Sequence, residues 1–244
     1  MWGVIAGSGF MPWAAFEALE RRECDTPWGE PSAAIHLGRC GGTEVAVLVR
    51  HGEQAQWPAH RVNYRANIQA LADCGVRNIV ATGTVGGIAA ALRPGVLALP
   101  HQLIDYTAGR EQSFWTPGEA RTAHVDFTEP FSDALRGRLL AAAKHVAPEL
   151  VPRGVYAVTQ GPRLETAAEV DRLERDGADM VGMTAMPEAV LARELDLDYA
   201  LLAIVVNHAA GRAQAGIWEQ VRRWQQGAIA QAQVLLGALL AAPR

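Results

Sequence analysis

The chain of 244 residues has few cysteines and almost no lysine. Cys24, Cys40 and Cys74 form no C-x-x-C pair and leave one odd thiol in any disulfide scheme. Lys144 is the single lysine, so the positive charge is almost all arginine, and the formal net charge is −4. This charge gives no reason to expect nucleic acid or an anionic membrane as a partner. An anionic substrate would need a local cluster of donors.

Two common kinds of catalytic site also lack their sequence signatures. The seven histidines show no H-x-x-x-H or Cys/His spacing typical of zinc sites. No G-x-S-x-G motif, which marks a nucleophilic serine, occurs. We therefore expect no metal site, and we expect the chemistry to depend on positioned hydrogen-bond donors and on the substrates themselves.

Long apolar runs and targeting signals are missing as well. The most apolar late stretch, Val234 to Ala242, is far too short to span a bilayer. The start, Met1-Trp2-Gly3-Val4, has no basic region or cleavage site of a secretory signal. We therefore expect a soluble cytoplasmic protein with reduced thiols.

Short β-branched runs alternate with longer alanine- and leucine-rich stretches, which predicts one α/β domain over residues 1–244 with helices on both faces of a sheet. The predicted strands are Trp2–Ala6, Val45–Val49, Asn78–Thr82, Gly95–Leu99, Gly154–Val158, Met180–Gly182 and Ala200–Val206. The predicted helices are Pro12–Arg21, Arg61–Cys74, Glu129–His145, Glu165–Asp176, Met186–Glu194 and Ile217–Leu240.

Two further expectations concern the last helix and one loop. Ile217, Val221, Trp224 and Ala228 recur at steps of three and four, which predicts an apolar stripe packed on the sheet. The segment Asp105–Asp126 is polar and rich in turn residues. A loop of this length is uncommon unless it serves a site or an interface.

Three segments at predicted strand ends could bind an oxyanion. Gly7-Ser8-Gly9 follows the first strand and offers backbone amides and a hydroxyl. Arg50-His51 follows the second and offers a guanidinium fork. Thr82-Gly83-Thr84 opens a glycine-rich loop. A tight turn or a surface salt bridge would explain any one of them, but three together favour an anion site.

Other polar groups lie where strands end or helices begin. Glu165 is in a first helical turn, where it either interacts with the helix dipole or accepts hydrogen from a base N–H. Met183 and Thr184 follow another strand, and Met183 is either core packing or a flat surface for a sugar. Asn207 closes the most apolar strand, where it either caps a turn or binds a ligand. An unpartnered amide there would cost about 1–3 kcal/mol.

These segments together resemble the trimeric nucleoside phosphorylase family, and in particular its methylthioadenosine phosphorylase branch. The similarity runs nearly end to end, and the ordered matches make it very specific. The matching segments are Gly7-Ser8-Gly9, Arg50-His51-Gly52, Val62 to Asn67, Gly86-Gly87, Pro94-Gly95, His124, Glu129-Pro-Phe131, Gly161-Pro-Arg163, Glu165-Thr166, Gly177 to Thr184, and Pro187-Glu188.

The resemblance implies an α/β fold with a distorted mixed central sheet, a homotrimer, and inorganic phosphate as a co-substrate that attacks the anomeric carbon of a purine nucleoside. No metal or organic cofactor is implied. By position, the phosphate-binding set is Ser8, Arg50, His51, Gly83, Thr84 and Thr184. The substrate-binding set is Met183, Asn207, His208, Ala209, Leu164 and His124. Among these, Met183 corresponds to the ribose contact, and His124 to a residue that reaches a neighbouring subunit's site.

The resemblance gives Asn207 and Glu165 the catalytic roles at the base. The adenine-specific branch carries an aspartate where this chain has Asn207, and 6-oxopurine enzymes carry asparagine. Asparagine can donate to O6 and accept from N7–H at once, whereas an aspartate only accepts. Glu165 could accept from N1–H, a proton that adenine lacks. At Leu164 the family usually has an aromatic residue, so the stacking contribution of about 1 kcal/mol is missing here.

We therefore expect reversible phosphorolysis of a 6-oxopurine nucleoside, 5′-methylthioinosine first, to hypoxanthine and 5-methylthioribose 1-phosphate. A methylthioadenosine phosphorylase in which Asn207 tolerates adenine is one alternative. An inosine or guanosine phosphorylase is another. A nucleoside sensor without catalysis would have no use for a phosphate site. The choice at the 5′ position depends on a lining that the sequence places only near His124 and Glu219–Val221.

Overall fold

The computed structural model describes residues 1–115 and 124–242. The predicted loop Asp105–Asp126 therefore lies partly outside the described residues, as do residues 243 and 244. The strands are β1 (Trp2–Ala6), β2 (Phe16–Arg22), β3 (Ile35–Cys40), β4 (Thr43–Val49), β5 (Asn78–Gly87), β6 (Leu97–Ala98), β7 (Gln102–Asp105), β8 (Val155–Val158), β9 (Met180–Gly182) and β10 (Asp198–His208). The helices are α1 (Tyr64–Asp73), α2 (Asp133–Val146), α3 (Ala167–Arg175), α4 (Ala185–Glu194) and α5 (Ile217–Ala241).

The ten strands form one mixed sheet, which confirms the expected α/β class. Along its main path the order is β2-β3-β4-β1-β5-β9-β8-β7, and β10 pairs with β5 and β6. Strands β4, β1, β5 and β10 pair in that order and run parallel to one another. Near its carboxyl end β5 also pairs antiparallel with β9, through Gly86 and Gly87. Since β5 has three partner strands, the sheet divides there, which is the distortion that the resemblance implied.

Helices cover both faces of the sheet. Side chains of α2 and α5 belong to the buried cluster on one face, and side chains of α1 and α4 to the cluster on the other. The strands between them are continuous apolar runs, as expected of strands buried on both sides. Strand β10 is the clearest case, because residues 199–206 are all buried.

Three parts of the predicted secondary structure are wrong. The predicted helix Pro12–Arg21 is instead the edge strand β2, which pairs with β3. Its glutamates, alanine and leucine favour a helix, but pairing with a neighbouring strand outweighs that local preference. Strands β3 and β7 were missed, since the Gly and Arg of one and the polar ends of the other hide their pattern.

The apolar stripe predicted on the last helix is also placed differently. Trp224 is 39% exposed, and Ile217 and Val221 are only half-buried, while Ala228 is buried as expected. Apart from Gln220, the buried residues of α5 lie between Ala228 and Leu240. The first three turns of α5 therefore lie mostly outside the core, where they can line a cavity.

Candidate active site

A cavity among the described residues opens at the carboxyl ends of β1, β4, β5 and β10. Its volume is about 560 Å³, which lies within the usual range for small-molecule sites. It collects almost every predicted site residue, from segments far apart in the chain. Those that line it are Ser8, Arg50, His51, Gly83, Thr84, Leu164, Glu165, Met183, Thr184, Asn207 and Ala209. We call Ser8, Arg50, His51, Gly83, Thr84 and Thr184 the donor set.

The glycine loop after β1 lies directly against β5. A Cβ on Gly7 would come within 2.5 Å of the Thr82 carbonyl oxygen, so only glycine fits here. The backbone N–H of Gly7 donates to the Thr82 hydroxyl at 2.9 Å. Thr82 is fully buried and its hydroxyl serves this internal contact. Thr82 belongs to a segment predicted to bind an oxyanion, but its hydroxyl is not available for an anion, and Thr84 is the threonine of this segment that lines the cavity.

Arg50 is the charged centre of the donor set. Its side chain is fully buried and forms a two-point ion pair with Glu188, through Nε to Oε1 and through Nη2 to Oε2 at 2.9 Å. Nη1 donates to the Thr82 carbonyl at 2.7 Å. Burial lowers the pKa of Arg50, but attraction to Glu188 outweighs it and raises the pKa above its usual value. These bonds leave a second N–H on each terminal nitrogen to point at an anion.

His51 lies next to this charge. Its Nδ1 lies 2.7 Å from the Trp57 carbonyl, so Nδ1 carries the proton and donates. Burial lowers the pKa of His51, and the Arg50 charge lowers it further. The ring is therefore neutral near pH 7, and its Nε2 is an acceptor. His51 is therefore the member of the donor set that accepts a hydrogen bond, and it suits a protonated oxygen of an anion better than a deprotonated one.

Glu165 and Asn207 approach the cavity near the point where the sheet divides. The Thr159 hydroxyl donates to Glu165 Oε1 at 2.6 Å. Asn207 is opposite Gly86 in the ladder of β10 and β5, and Gly86 is opposite Val181 in β9. Nδ2 of Asn207 donates to the His208 carbonyl at 2.7 Å, which leaves its second N–H and its oxygen for a ligand. We call Glu165 and Asn207 the carboxylate–amide pair.

Met183 and Thr184 connect the two parts of the cavity. Thr184 is buried, and its hydroxyl lies 3.4 Å from where a Cβ on Gly83 would be. Met183 packs against Gly161, at the start of the loop that carries Glu165. Met183 and Thr184, at the junction of β9 and α4, therefore lie between the carboxylate–amide pair and the rest of the donor set. Leu164, which stands where the family usually has an aromatic residue, is 39% exposed at the mouth.

Two predicted substrate contacts lie away from this cavity. His208 turns to the other side, where its Nδ1 and backbone N–H lie 2.9 and 3.0 Å from Gln220 Oε1. It lines a separate cavity with Arg93 and Trp224, so the placement does not support a substrate contact by its side chain. His124 is exposed and does not line the cavity within this chain. Its expected role concerned a neighbouring subunit and stays a prediction.

Sequence reasoning missed most of two parts of the cavity wall. One is formed by Met11 and the first turns of α5, through Ile217, Trp218, Val221 and Gln225, and the other by residues of the segment 53–59 after β4. The sequence pattern assigned Ile217 and Val221 to core packing, because helical periodicity does not show where the sheet beneath a helix ends. Of the Glu219–Val221 segment named for the 5′ group, Val221 lines this cavity and Glu219 lines the separate one.

Other site types find no support in residues 1–115 and 124–242. No group of three or more His, Cys, Asp or Glu side chains is placed to hold a metal ion there. Likewise, none of the helices in these ranges has the length and apolar content needed to cross a membrane.

A family model described as the phosphorylase superfamily matches residues 2–241. The chain belongs to the phosphorylase superfamily. Among relatives in this superfamily, a probable S-methyl-5′-thioinosine phosphorylase of Pseudomonas syringae pv. tomato is 49% identical over 217 residues, which cover 89% of this chain and 88% of the relative. A 6-oxopurine nucleoside phosphorylase of Pyrococcus furiosus is 45% identical over 215 residues, with 85% and 79% covered.

A solved superfamily structure confirms the expected fold. Methylthioadenosine phosphorylase from Schistosoma mansoni, in its apo form, superposes with a TM-score of 0.89 at 32% identity. The match covers 98% of this chain and 90% of that one. The predicted nucleoside phosphorylase architecture is therefore confirmed over almost the whole length.

Proposed function

We propose that the protein catalyses phosphorolysis of S-methyl-5′-thioinosine to hypoxanthine and 5-methylthioribose 1-phosphate, as a step of purine salvage. The observation that carries the proposal is that one cavity holds both the donor set and the carboxylate–amide pair. The first suits inorganic phosphate and the second suits a 6-oxopurine. The name of the relative that is 49% identical supports the same substrate.

The donor set would hold phosphate beneath the anomeric carbon. Gly83, Thr84, Thr184 and Ser8 would donate to its oxygens, and the free N–H groups of Arg50 would add charge. One phosphate oxygen then forms a bond to C1′ as the bond from C1′ to N9 breaks, and the bonding pair leaves with the purine. The proton of hydrogen phosphate ends on the base. The transition state resembles an oxocarbenium ion, which the adjacent phosphate charge stabilises.

The carboxylate–amide pair would select the base. Asn207 would accept from N7–H and donate to O6, which disperses the negative charge that develops on the leaving purine. Glu165 would accept from N1–H. Adenine has no proton on N1, so it would leave Glu165 without a donor. Its amino group at C6 would also face the Nδ2–H of Asn207, and both of these groups are donors. Hydrogen-bonding sites of this kind reject a wrong partner by about 10⁴-fold.

The α5 wall would receive the 5′ substituent. Met11, Ile217, Trp218 and Val221 present apolar surface to the cavity, which suits a methylthio group better than a hydroxyl. Gln225 is the polar side chain of that wall and could bond a 5′-hydroxyl. The Pyrococcus relative, named a 6-oxopurine nucleoside phosphorylase, makes inosine and guanosine the second candidate substrates.

The remaining expectations belong to the same proposal. Inorganic phosphate would be the co-substrate, with no metal or organic cofactor. The protein would act in the cytoplasm as one domain, assembled as a homotrimer in which His124 reaches the neighbouring site. Leu164 and Ala209 would pack against the base, and Met183 against the ribose.

The test is release of hypoxanthine from methylthioinosine with and without phosphate, with inosine in parallel. We expect release only with phosphate, a sugar 1-phosphate as the second product, and a higher kcat/KM for methylthioinosine than for inosine. Phosphate-independent release would indicate a hydrolase. Binding of methylthioinosine without any release would support the sensor instead.

A further inference from the structure

Arg110 lies on the polar segment after β7, and its guanidinium donates to the two loops that carry site residues. Nη1 lies 2.7 Å from the Met183 carbonyl and 2.6 Å from the Met186 carbonyl. Nη2 lies 2.9 Å from the Gln160 carbonyl and 3.3 Å from the Thr159 carbonyl. One half-buried side chain thus bridges the loop after β9, together with the first turn of α4, and the loop after β8.

All five N–H groups of Arg110 have an acceptor. Nε donates to Gln160 Oε1 at 3.2 Å, and the same oxygen accepts from the Ala108 amide at 3.1 Å. The guanidinium also lies over the Tyr64 ring, 5.5 Å from its centroid. A lysine has three donors on one point and could not reach both loops in this way.

Each bridged loop carries groups that the proposed function assigns to substrate. Met183, whose carbonyl Arg110 binds, is the ribose contact, and Thr184 of the donor set follows it. Thr159, on the other loop, donates its hydroxyl to Glu165 at 2.6 Å. The distance between the loops therefore sets the distance from the base contact to the sugar and phosphate contacts. An error of about 1 Å in such a distance costs about 10²-fold in rate.

We propose that Arg110 is a positioning residue that holds these two loops at the spacing that a nucleoside requires. This inference rests on the proposed function, since it assigns the loops their substrate roles. The role also agrees with the prediction that the polar segment Asp105–Asp126, which carries Arg110, serves a site or an interface. Arg110 does not line the cavity itself and acts through the backbone of Met183 and Thr159.

Arg136 provides a matched control. Its side chain is buried, and it donates to the carbonyls of Pro100, Leu99 and Pro152 at 3.0, 3.4 and 2.8 Å. It therefore joins loops through the same kind of bonds. None of its partners lines the cavity. Its loss should therefore remove comparable structural hydrogen bonds without moving the residues of the site.

The experiment compares Arg110→Ala, Arg110→Lys and Arg136→Ala with the wild type. For each we would measure kcat, KM for methylthioinosine, KM for phosphate and the melting temperature. We expect Arg110→Ala to lose about 10²-fold in kcat/KM for the nucleoside, with the phosphate KM much less affected. Arg110→Lys should recover little of this loss, and added guanidinium ion should recover part of it in Arg110→Ala. Arg136→Ala should melt lower, with kcat/KM close to wild type after correction for the folded fraction.

Two results would overturn the positioning role. One is a parallel loss in Arg110→Ala and Arg136→Ala that the folded fraction accounts for. The other is full activity of Arg110→Lys.

Hydrogen exchange of residues 159–166 and 182–190 provides a readout that needs no activity. Faster exchange in both stretches for Arg110→Ala, but not for Arg136→Ala, supports the role even if the wild type acts on another substrate. Unchanged exchange contradicts it. Failure of the wild type to release any base would count against the proposed function alone.

Discussion

The donor set and the carboxylate–amide pair are built in different ways. The donor set sits on the ends of central strands, and beneath it the ion pair of Arg50 and Glu188 is completely buried. Of the carboxylate–amide pair, Asn207 also lies near a strand end, in β10. Glu165, however, stands on a loop and is held by one hydroxyl, while Leu164 beside it is 39% exposed. The donor set is therefore continuous with the core, and substitutions there should lower the free energy of unfolding. The carboxylate–amide pair depends on a few side-chain hydrogen bonds, and substitutions there should change the selectivity for the base.

The largest expected effect is on selectivity. Asn207→Asp replaces a group that donates and accepts with one that only accepts. We expect the ratio of kcat/KM for methylthioinosine to that for methylthioadenosine to fall by about 10²–10⁴-fold, with the melting temperature nearly unchanged. A ratio within threefold of wild type would show that Asn207 does not read the base.

Removing Glu188, the partner of Arg50 in the donor set, should instead lower the free energy of unfolding. Glu188→Leu leaves Arg50 charged and unpaired in the core, which costs about 3–5 kcal/mol of unfolding free energy. Urea denaturation measures this loss. The matched control is Glu169→Ala, which removes an exposed two-point pair with Arg163 and should lose far less. Equal losses would contradict the contrast between the two parts.

Glu165→Gln tests the second base contact. An amide can still accept a hydrogen bond but lacks the charge, which is worth about 1.5–3 kcal/mol in such bonds. We expect kcat/KM for methylthioinosine to fall roughly 10- to 100-fold, while methylthioadenosine is little affected. Thr159→Val is the companion variant and should show a smaller loss of the same kind. Equal losses for both substrates would remove Glu165 from base selection.

Leu164→Phe should improve binding. A ring at this position restores stacking on the base, worth about 1 kcal/mol, so KM for methylthioinosine should fall about fivefold. Steady-state kinetics measure the change, and Leu164→Ala gives the opposite sign. An unchanged KM in both would show that this side chain does not touch the base.

The smallest expected effect concerns pH. His51 has a pKa lowered by burial and by Arg50, so the unfolded chain takes up a proton at a higher pH than the folded one. The stability that neutral His51 contributes is complete above its unfolded pKa of about 6.5 and is lost as pH falls toward the folded value. Melting temperatures at pH 7.5 and 5 should differ more for wild type than for His51→Gln. An equal or larger difference in the variant would contradict this sign.

Sequence reasoning named most of the residues that line the cavity, because most of them lie at or near strand ends. Glu165 is the exception, since it precedes α3 and does not lie in the first turn of that helix as predicted. Glycines, Arg50 and Asn207 directly after apolar runs signal the carboxyl edge of a sheet. Sequence reasoning could not predict that Arg50 is already paired with Glu188, 138 positions away. Of the α5 wall it named only the segment Glu219–Val221, and it did not find Arg110, since these depend on where α5 leaves the sheet and on carbonyls of distant loops.

Edge strand β2 likewise could not be predicted from its own sequence, because its structure depends on a distant part of the chain. Its residues are mostly exposed and favour a helix, and only pairing with β3 makes it a strand. Local preference predicts elements that are buried on both sides, such as β10, far better than elements defined by a neighbour.

A competition between methylthioinosine and methylthioadenosine, supplied together at equal concentration with phosphate, tests the central claim most directly. The ratio in which hypoxanthine and adenine are released gives the ratio of kcat/KM. Base selection by Asn207 and Glu165 predicts that hypoxanthine forms at least 100-fold faster, as expected of a site that hydrogen-bonds its substrate. Comparable or faster release of adenine would contradict it and would assign the protein to methylthioadenosine.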